Sequence, residues 1–366
     1  MAAILPAGVS ASWLRASCPC PSCLDPGSGQ RLVNITDQPA GVRFGSVTED
    51  AGSYRVTFEP DGHRAVIAKS WLTAALAPAA PGRTEDARRL WVAADFPAGP
   101  TAARWSGYGA DAGVRASCLE ALLTDGFVLL RDVPVTPGTV LDVAASMGFV
   151  RETNYGKLFD VRVTADPANL AFTALAIAPH TDNPYRDPVP TVQLLHCLAS
   201  AAEGGVSGLV DGFTAAGLLR AEDPAAFAVL TGTPVTFRYA DATADLQATM
   251  PMIGLDPHGR IREVRFNNRS LQPLRSPGPE AADAFYLAYR AFAELLARPE
   301  LMLRFRLGPG DCVVFDNTRV LHARTAFTGA GHRHLQGCYA DLDGVASTLA
   351  VLHRGGSGAG QRAEGS

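Results

Sequence analysis

Between residues 155 and 345 the chain is a succession of short apolar runs cut by turn residues, and this pattern leaves few folds open to it. FDVRV, TVQLLHCL, GLVDGF, TPVTFRYA, IREVRFN, LRFRLGPGDCVVFDN and HLQGCYADLD alternate with stretches rich in Gly, Pro, Asp and Asn. One segment breaks the pattern: PEAADAFYLAYRAFAELLARPE carries apolar residues at i, i+3 and i+4, the spacing of an amphipathic helix. Upstream, ASCLEALLTDGFVLLRDVPV predicts a helix ending near Gly126 and then a buried strand, and PGTVLDVAASMG predicts another helix. Many short strands with a few helices predict a mainly β protein with added helices, its main domain a double-sheet jelly roll.

Residues 1–95 predict a separate, small β-rich domain from QRLVNI, VRFGSVT, YRVTFEP and HRAVIAKSWL. The Ala- and Pro-rich stretch from Leu76 to Arg104 predicts a connecting segment. Residues 96–350 form the main domain, and the Gly/Ser-rich end, residues 351–366, is expected to be disordered. With 47% apolar and 19% charged residues the chain can bury a sizeable core. A net charge of −4 and the lack of a Lys/Arg-rich block argue against a nucleic-acid partner and leave a small molecule as the expected one. The one candidate apolar span, residues 65–80, is broken by Lys69, Ser70 and Pro78, so no membrane segment is expected. The N-terminus lacks the basic and apolar regions of a signal peptide. Seven cysteines, three of them within residues 18–23, fit a reducing compartment with a metal site, and the chain is expected to be cytoplasmic.

The chemistry is concentrated in LAIAPHTDNPYRDPVPTVQLLHC. Here an apolar run stops and His180 and Asp182 follow two positions apart, a spacing that on a strand points both side chains to one face. GDCVVFDNTRVLHARTAF supplies a third ligand, His322, after a turn and a short buried strand. Two histidines and one carboxylate leave half of an octahedron open, which suits non-haem Fe(II); zinc can use the same donors, so ligand type alone does not decide the metal. Arg333 lies eleven residues beyond His322 on an alternating strand. Its planar guanidinium is suited to a bidentate grip on the distal carboxylate of a 2-oxo acid chelated by iron.

HTDNPYRDPVPTVQLLHCL, VDGF, VFDNTRVLHAR and RHLQGCYAD together resemble the γ-butyrobetaine hydroxylase branch of the Fe(II)/2-oxoglutarate oxygenases, and the likeness runs from Trp13 to about Asp343. The resemblance implies a double-stranded β-helix and a homodimer. By position it makes His180, Asp182 and His322 the iron ligands, Arg333 the 2-oxoglutarate clamp and Leu195 a wall of the cosubstrate pocket. It also implies a structural zinc held by Cys18, Cys20, Cys23 and His63, a closed Cys3His set with no open position for chemistry. An aromatic cage for a trimethylammonium group falls on Tyr155, Phe159, Phe172 and Tyr339, where cation–π attraction would act. The family more typically has Trp at the second position and Tyr at the third, and Phe159 and Phe172 can equally be read as ordinary core aromatics. Asn169 and Asn267 align with amides that hold the substrate's anionic end.

The activity implied is Fe(II)-, 2-oxoglutarate- and O2-dependent hydroxylation of a small trimethylammonium zwitterion, with γ-butyrobetaine to L-carnitine, a step of carnitine biosynthesis, as the first expectation. A 2-trimethylaminoethylphosphonate or another betaine is the alternative, and a non-catalytic, zinc-stabilised binding protein a second one. Other residues take plainer readings. His196 reads as a satisfied core histidine and His332 and His334 as solvated. Cys118, Cys197, Cys312 and Cys338 read as small core residues, and EGGVSG, residues 203–208, as a turn and not a phosphate loop.

Overall fold

The computed structural model describes residues 4–77, 88–162, 173–200, 203–275, 278–328 and 333–360. The chain divides into two compact units, Met1–Gly82 and Arg83–Ser366.

The first unit is built on a three-stranded antiparallel sheet, Arg43–Glu49, Ser53–Glu59 and Arg64–Ala68, in sequential order. The alternation in SYRVTFE turns Tyr54, Val56 and Phe58 inward and leaves Arg55 and Glu59 exposed. Those inward residues pack with Leu14 of the helix Ala11–Ala16, Leu72 of the helix Lys69–Leu76, and Cys18 and Cys23. QRLVNI does not form the predicted strand. It makes a single bridge, Leu24 to Arg31, and then a short 3-10 turn at Ile35–Asp37, with Leu32 and Ile35 exposed. The Asp37 carboxylate accepts from the Asn34 backbone and amide, which favours the turn over an extended run.

The second unit is a sandwich. Its larger sheet has the order Ala102–Arg104, Phe127–Arg131, Cys312–Asp316, Val192–Ser200, Arg333–Ala340, Phe159–Arg162, antiparallel except for the first pair. The smaller sheet has the order Met302–Phe305, Ser207–Asp211, Val320–Arg324, Ile177–His180, all antiparallel. Period-two alternation sorts the side chains of the larger sheet. Val128, Leu130, Leu194, Cys312 and Val314 face the helices Ala112–Thr124, Thr139–Met147 and Leu342–Gly360. Phe127, Leu129, Cys197, Val313 and Phe315 share a second core with Leu209 and Val320 of the smaller sheet. A third core packs Val210 and Leu321 of the smaller sheet against the helices Gly212–Glu222, Pro224–Gly232 and Pro279–Leu296. This is the double-sheet jelly roll that the strand pattern predicted and the double-stranded β-helix that the resemblance implied.

Two expected boundaries move. The units part between Gly82 and Arg83, ahead of residue 95, because the end of the supposed connecting segment belongs to the sandwich core. Trp91 is buried edge-on against Phe96 and Phe127, its Nε1 donates to the Asp125 carbonyl at 2.7 Å, and Arg89 grips the Asp125 carboxylate with two bonds. At the other end the helix Leu342–Gly360 runs into the tail predicted to be disordered, held by Val345 and Leu349 against Leu119 and Leu122; residues 361–366 lie outside the described residues.

Candidate active site

The smaller sheet brings the two histidines together. His322 pairs directly with His180 across neighbouring strands, and their rings stand 4.0 Å apart. Asp182 follows His180 after the strand ends, and its carboxylate turns back to them: Oδ1 lies 3.4 Å from His180 Nε2 and Oδ2 lies 3.9 Å from His322 Nε2. The turn needs an unusual backbone. Asn183 sits at φ +55°, a left-handed conformation that Asn tolerates better than most residues. Asn317 clamps the turn by accepting from the Asp182 backbone N–H at 2.7 Å and donating to the Asp182 and Pro190 carbonyls.

One donor atom from each of His180, Asp182 and His322 lies within 4.8 Å of the others, close enough for one cation to collect all three. The protonation pattern suits that cation. His180 Nδ1 donates to the Ala178 carbonyl at 2.9 Å, so Nε2 keeps the lone pair that faces Asp182. Burial pushes the pKa of His322 down to about 3 against the pull of Asp182, so this ring is also a neutral ligand. Burial alone would raise the Asp182 pKa; its two imidazole neighbours and the charge of Arg269 outweigh that and hold the group well below the usual carboxylate range. Gln193 Nε2 donates to Asp182 Oδ2 at 2.8 Å, and the Tyr339 hydroxyl approaches the same oxygen at 3.4 Å.

All three ligands line one cavity between the two sheets, together with Leu195, Arg333, Tyr155, Phe159, Asn267 and Tyr339. Arg333 is largely buried and has no carboxylate within 4.0 Å among the described residues; its guanidinium packs over the Phe327 ring at 5.5 Å. A buried cation without a counter-ion is a site for an anion from solution. The 203–208 turn proves to be more than a connection. Gly205 has φ +62°, and a Cβ there would stand 3.2 Å from Arg333 Nε, so the glycine gives the guanidinium its room.

Aromatic rings form the other wall. Phe159 stacks on Tyr339 at 5.2 Å and lies 6.0 Å from Tyr155. Tyr185 and Tyr239, which the sequence reading missed, extend the wall: Tyr155 meets Tyr239 edge-on at 5.6 Å, and Tyr239 stacks on Tyr185 at 5.2 Å. The Tyr155 and Tyr185 hydroxyls are 3.1 Å apart, and Tyr185 donates onward to Asn183 Oδ1 at 2.7 Å. Burial raises the pKa of all four phenols, so the wall is neutral. Asn169, Phe172 and His332 lie outside the described residues. Gln193 was legible, since it stands two positions before Leu195 on a strand and therefore on the same face. Tyr239 was not, because it arrives from a hairpin, Val235–Ala240 with Asp245–Met250, whose placement no local pattern reports.

Asn267, aligned with an amide for the substrate, is 6% exposed and already employed: Nδ2 donates to the Thr181 carbonyl at 2.9 Å and Oδ1 accepts from the Arg269 backbone at 3.1 Å. His196 is a fully buried core residue, as expected. His334 is not merely solvated; its Nε2 pairs with Asp160 at 2.7 Å. Cys118, Cys197, Cys312 and Cys338 are buried free thiols.

The first unit carries its own cluster. His63 Nε2 lies 3.4, 3.6 and 3.7 Å from the sulfurs of Cys18, Cys20 and Cys23. A tetrahedral zinc with bonds of ~2.3 Å to sulfur and ~2.05 Å to nitrogen separates S and N by about 3.6 Å, so these spacings fit Zn(II). Burial pushes the Cys18 thiol up to about 12, and three thiols this close cannot all ionise without a cation among them. Buried Arg15 bonds the Cys23 sulfur at 3.4 Å and Asp61 at 2.8 Å, placing positive charge beside the third thiolate.

Comparison with known proteins agrees with both units. Residues 104–339 match the family described as taurine catabolism dioxygenase TauD, TfdA family, and residues 7–70 match the γ-butyrobetaine hydroxylase-like N-terminal family. The chain is 38% identical to the γ-butyrobetaine dioxygenase of Pseudomonas sp. (strain AK-1) over 93% of this chain and 90% of that one. It is 31% identical to the human γ-butyrobetaine dioxygenase over 94% and 91%. Against the trimethyllysine dioxygenase of Meyerozyma guilliermondii the figures are 28% over 94% and 90%. The triad, the unpaired guanidinium and these matches converge: the chain belongs to the TauD/TfdA family of Fe(II)- and 2-oxoglutarate-dependent dioxygenases.

Proposed function

We propose that this chain hydroxylates γ-butyrobetaine to L-carnitine. The observation that carries the reading is the sharing of one cavity by the metal triad and a wall of five aromatic rings, Tyr155, Phe159, Tyr185, Tyr239 and Tyr339. Rings present negative faces that attract a diffuse quaternary cation without demanding a hydrogen bond from it, and trimethylammonium has none to give. The bacterial and human relatives at 38% and 31% identity are both named for this substrate.

In this reading His180, Asp182 and His322 hold Fe(II), and Arg333 holds the distal carboxylate of 2-oxoglutarate against Leu195. With both bound, the site supplies oxidative decarboxylation of the 2-oxo acid coupled to hydroxylation of a C–H bond by O2. The chain's own work is positional. Asn317 and Gln193 fix the Asp182 carboxylate, the rings seat the cationic end, and polar residues near Asn267 seat the anionic end, so that one carbon is presented to the metal. Phe172 and Asn169 complete the two ends by alignment. Cys18, Cys20, Cys23 and His63 hold a structural zinc. The chain acts as a homodimer in the cytoplasm, where its seven cysteines stay reduced; among the described residues no helix is long and apolar enough to cross a membrane.

A second reading, a trimethylaminoethylphosphonate, draws on the excess of cations in the cavity, where Arg269, Arg324 and Arg333 face the single carboxylate of Asp182. The test is succinate release and O2 uptake with γ-butyrobetaine, the phosphonate, trimethyllysine and glycine betaine. Coupled turnover highest with γ-butyrobetaine supports the proposal. Coupling only to the phosphonate, or to none of the panel, overturns it.

A further inference from the structure

We infer that Arg269, oriented by Asn267, is the residue that binds the anionic end of the substrate. The inference rests on the betaine reading above and deepens it. Arg269 lines the cavity with its side chain 20% exposed, and its Nη2 stands 3.9 Å from Asp182 Oδ1. That separation is too long for a hydrogen bond. Asp182 offers the guanidinium long-range charge only, and a cation collected by the triad takes that charge over. The two Nη groups of the fork are then left facing the cavity without a partner in contact among the described residues.

Asn267 explains why the fork faces inward. Its Oδ1 accepts from the Arg269 backbone N–H at 3.1 Å and from Nε at 3.4 Å, fixing the root and the near edge of the side chain. Its Nδ2 is tied to the carbonyl of Thr181, between the two ligands His180 and Asp182. One amide therefore couples the position of Arg269 to the metal triad, and only its second N–H remains for a ligand. Ser270, next in the chain, lines the same cavity and has a buried hydroxyl with no hydrogen-bond partner among the described residues. A guanidinium fork, a hydroxyl and one amide N–H make a donor set for an oxyanion. The other three cavity arginines have different work. Arg238 makes two bonds to Asp245, Arg324 donates to the Thr173 and Leu175 carbonyls, and Arg333 lies under Gly205 and Phe327.

The role separates from a structural one by a substrate comparison. γ-Butyrobetaine and its primary amide share the trimethylammonium group and nearly the same shape, and differ in the negative charge. Their kcat/KM ratio is measured in wild type, Arg269→Met and Arg269→Lys, with KM for 2-oxoglutarate and a thermal melt for each protein. Charge-assisted hydrogen bonds are lost on going to the amide, so wild type should prefer the acid by roughly ten- to hundredfold. Arg269→Met should shrink that preference to about threefold or less and leave KM for 2-oxoglutarate unchanged. Arg269→Lys, which keeps the charge without the fork, should retain part of the preference and carries the test if the Met variant does not fold. A variant that loses activity equally on both compounds, keeping the ratio, overturns the inference while the betaine reading stands. A rise in KM for 2-oxoglutarate in place of the ratio change overturns it too, assigning Arg269 to the cosubstrate. Wild type that turns over neither compound removes both.

Discussion

Replacing Gly337 by alanine tests the aromatic wall without touching a ring. Gly337 lies opposite Phe159 in the pairing of Arg333–Ala340 with Phe159–Arg162, and the ring lies flat over the space where a side chain would be. A Cβ built there would stand 2.3 Å from Phe159 Cζ and 2.5 Å from Cε2. Carbon atoms in contact settle at ~3.5 Å or more, so the ring must retreat by about 1.2 Å. It cannot do so in place, because Tyr339 stacks on it at 5.2 Å and Tyr155 stands 6.0 Å away. Gly337 is not in the left-handed region, so alanine suits the strand and costs the backbone nothing; it even removes some freedom from the unfolded chain. The damage therefore falls on the wall. A desolvated cation–π contact is worth on the order of 2 kcal/mol, and losing half to all of it raises KM for γ-butyrobetaine about five- to thirtyfold. The assay is succinate release at saturating 2-oxoglutarate, run beside the uncharged tert-butyl analogue of the substrate, in which carbon replaces the quaternary nitrogen. Wild type should bind the charged compound roughly thirtyfold more tightly, and Gly337→Ala should narrow that gap. If the two compounds bind wild type equally, the wall is only a greasy surface and the cation–π argument fails. An unchanged gap in Gly337→Ala would mean that Phe159 does not contribute to it.

Three further outcomes follow from the two metal clusters and Arg333. His180→Ala and Asp182→Ala should each abolish coupled succinate release while leaving the circular dichroism spectrum and melting behaviour near wild type, since both groups face the cavity; activity near wild type in either variant would end the iron assignment. Arg333→Lys keeps the charge but loses the fork, so KM for 2-oxoglutarate should rise about tenfold or more with little change for the betaine; equal effects on both would show that Arg333 does not meet the cosubstrate. Elemental analysis should find about one zinc per chain that survives mild chelation, besides exchangeable iron, and Cys20→Ser should release it and lower the melting temperature. Well-folded protein without zinc would show that the cysteine cluster has another purpose.

The sequence by itself determined what depends on near neighbours. Strand alternation in YRVTFEP assigned inward and outward faces, because side chains on a strand repeat every two residues wherever the strand ends up. His180 and Asp182 were readable as a pair for the same reason, and three thiols within six positions are close in any compact fold. The joint occurrence of these motifs with VFDNTRVLHAR and RHLQGCYAD brought the distant His322 and Arg333 into the same reading. Tertiary structure decided everything that needed two distant segments in register. The pairing of His322 with His180 depends on strand order, which no local propensity reports. Tyr239 comes to the wall on a hairpin, Arg269 is aimed by an amide that also holds Thr181, and Trp91 anchors what composition alone made a linker. QRLVNI alternates like a strand yet forms no more than the single bridge of Arg31 to Leu24, because its own Asn34 and Asp37 satisfy the backbone locally in a 3-10 turn. Period and composition are properties of a segment. A site is a property of contacts between segments, and those are set only when the whole chain has chosen its most favourable burial.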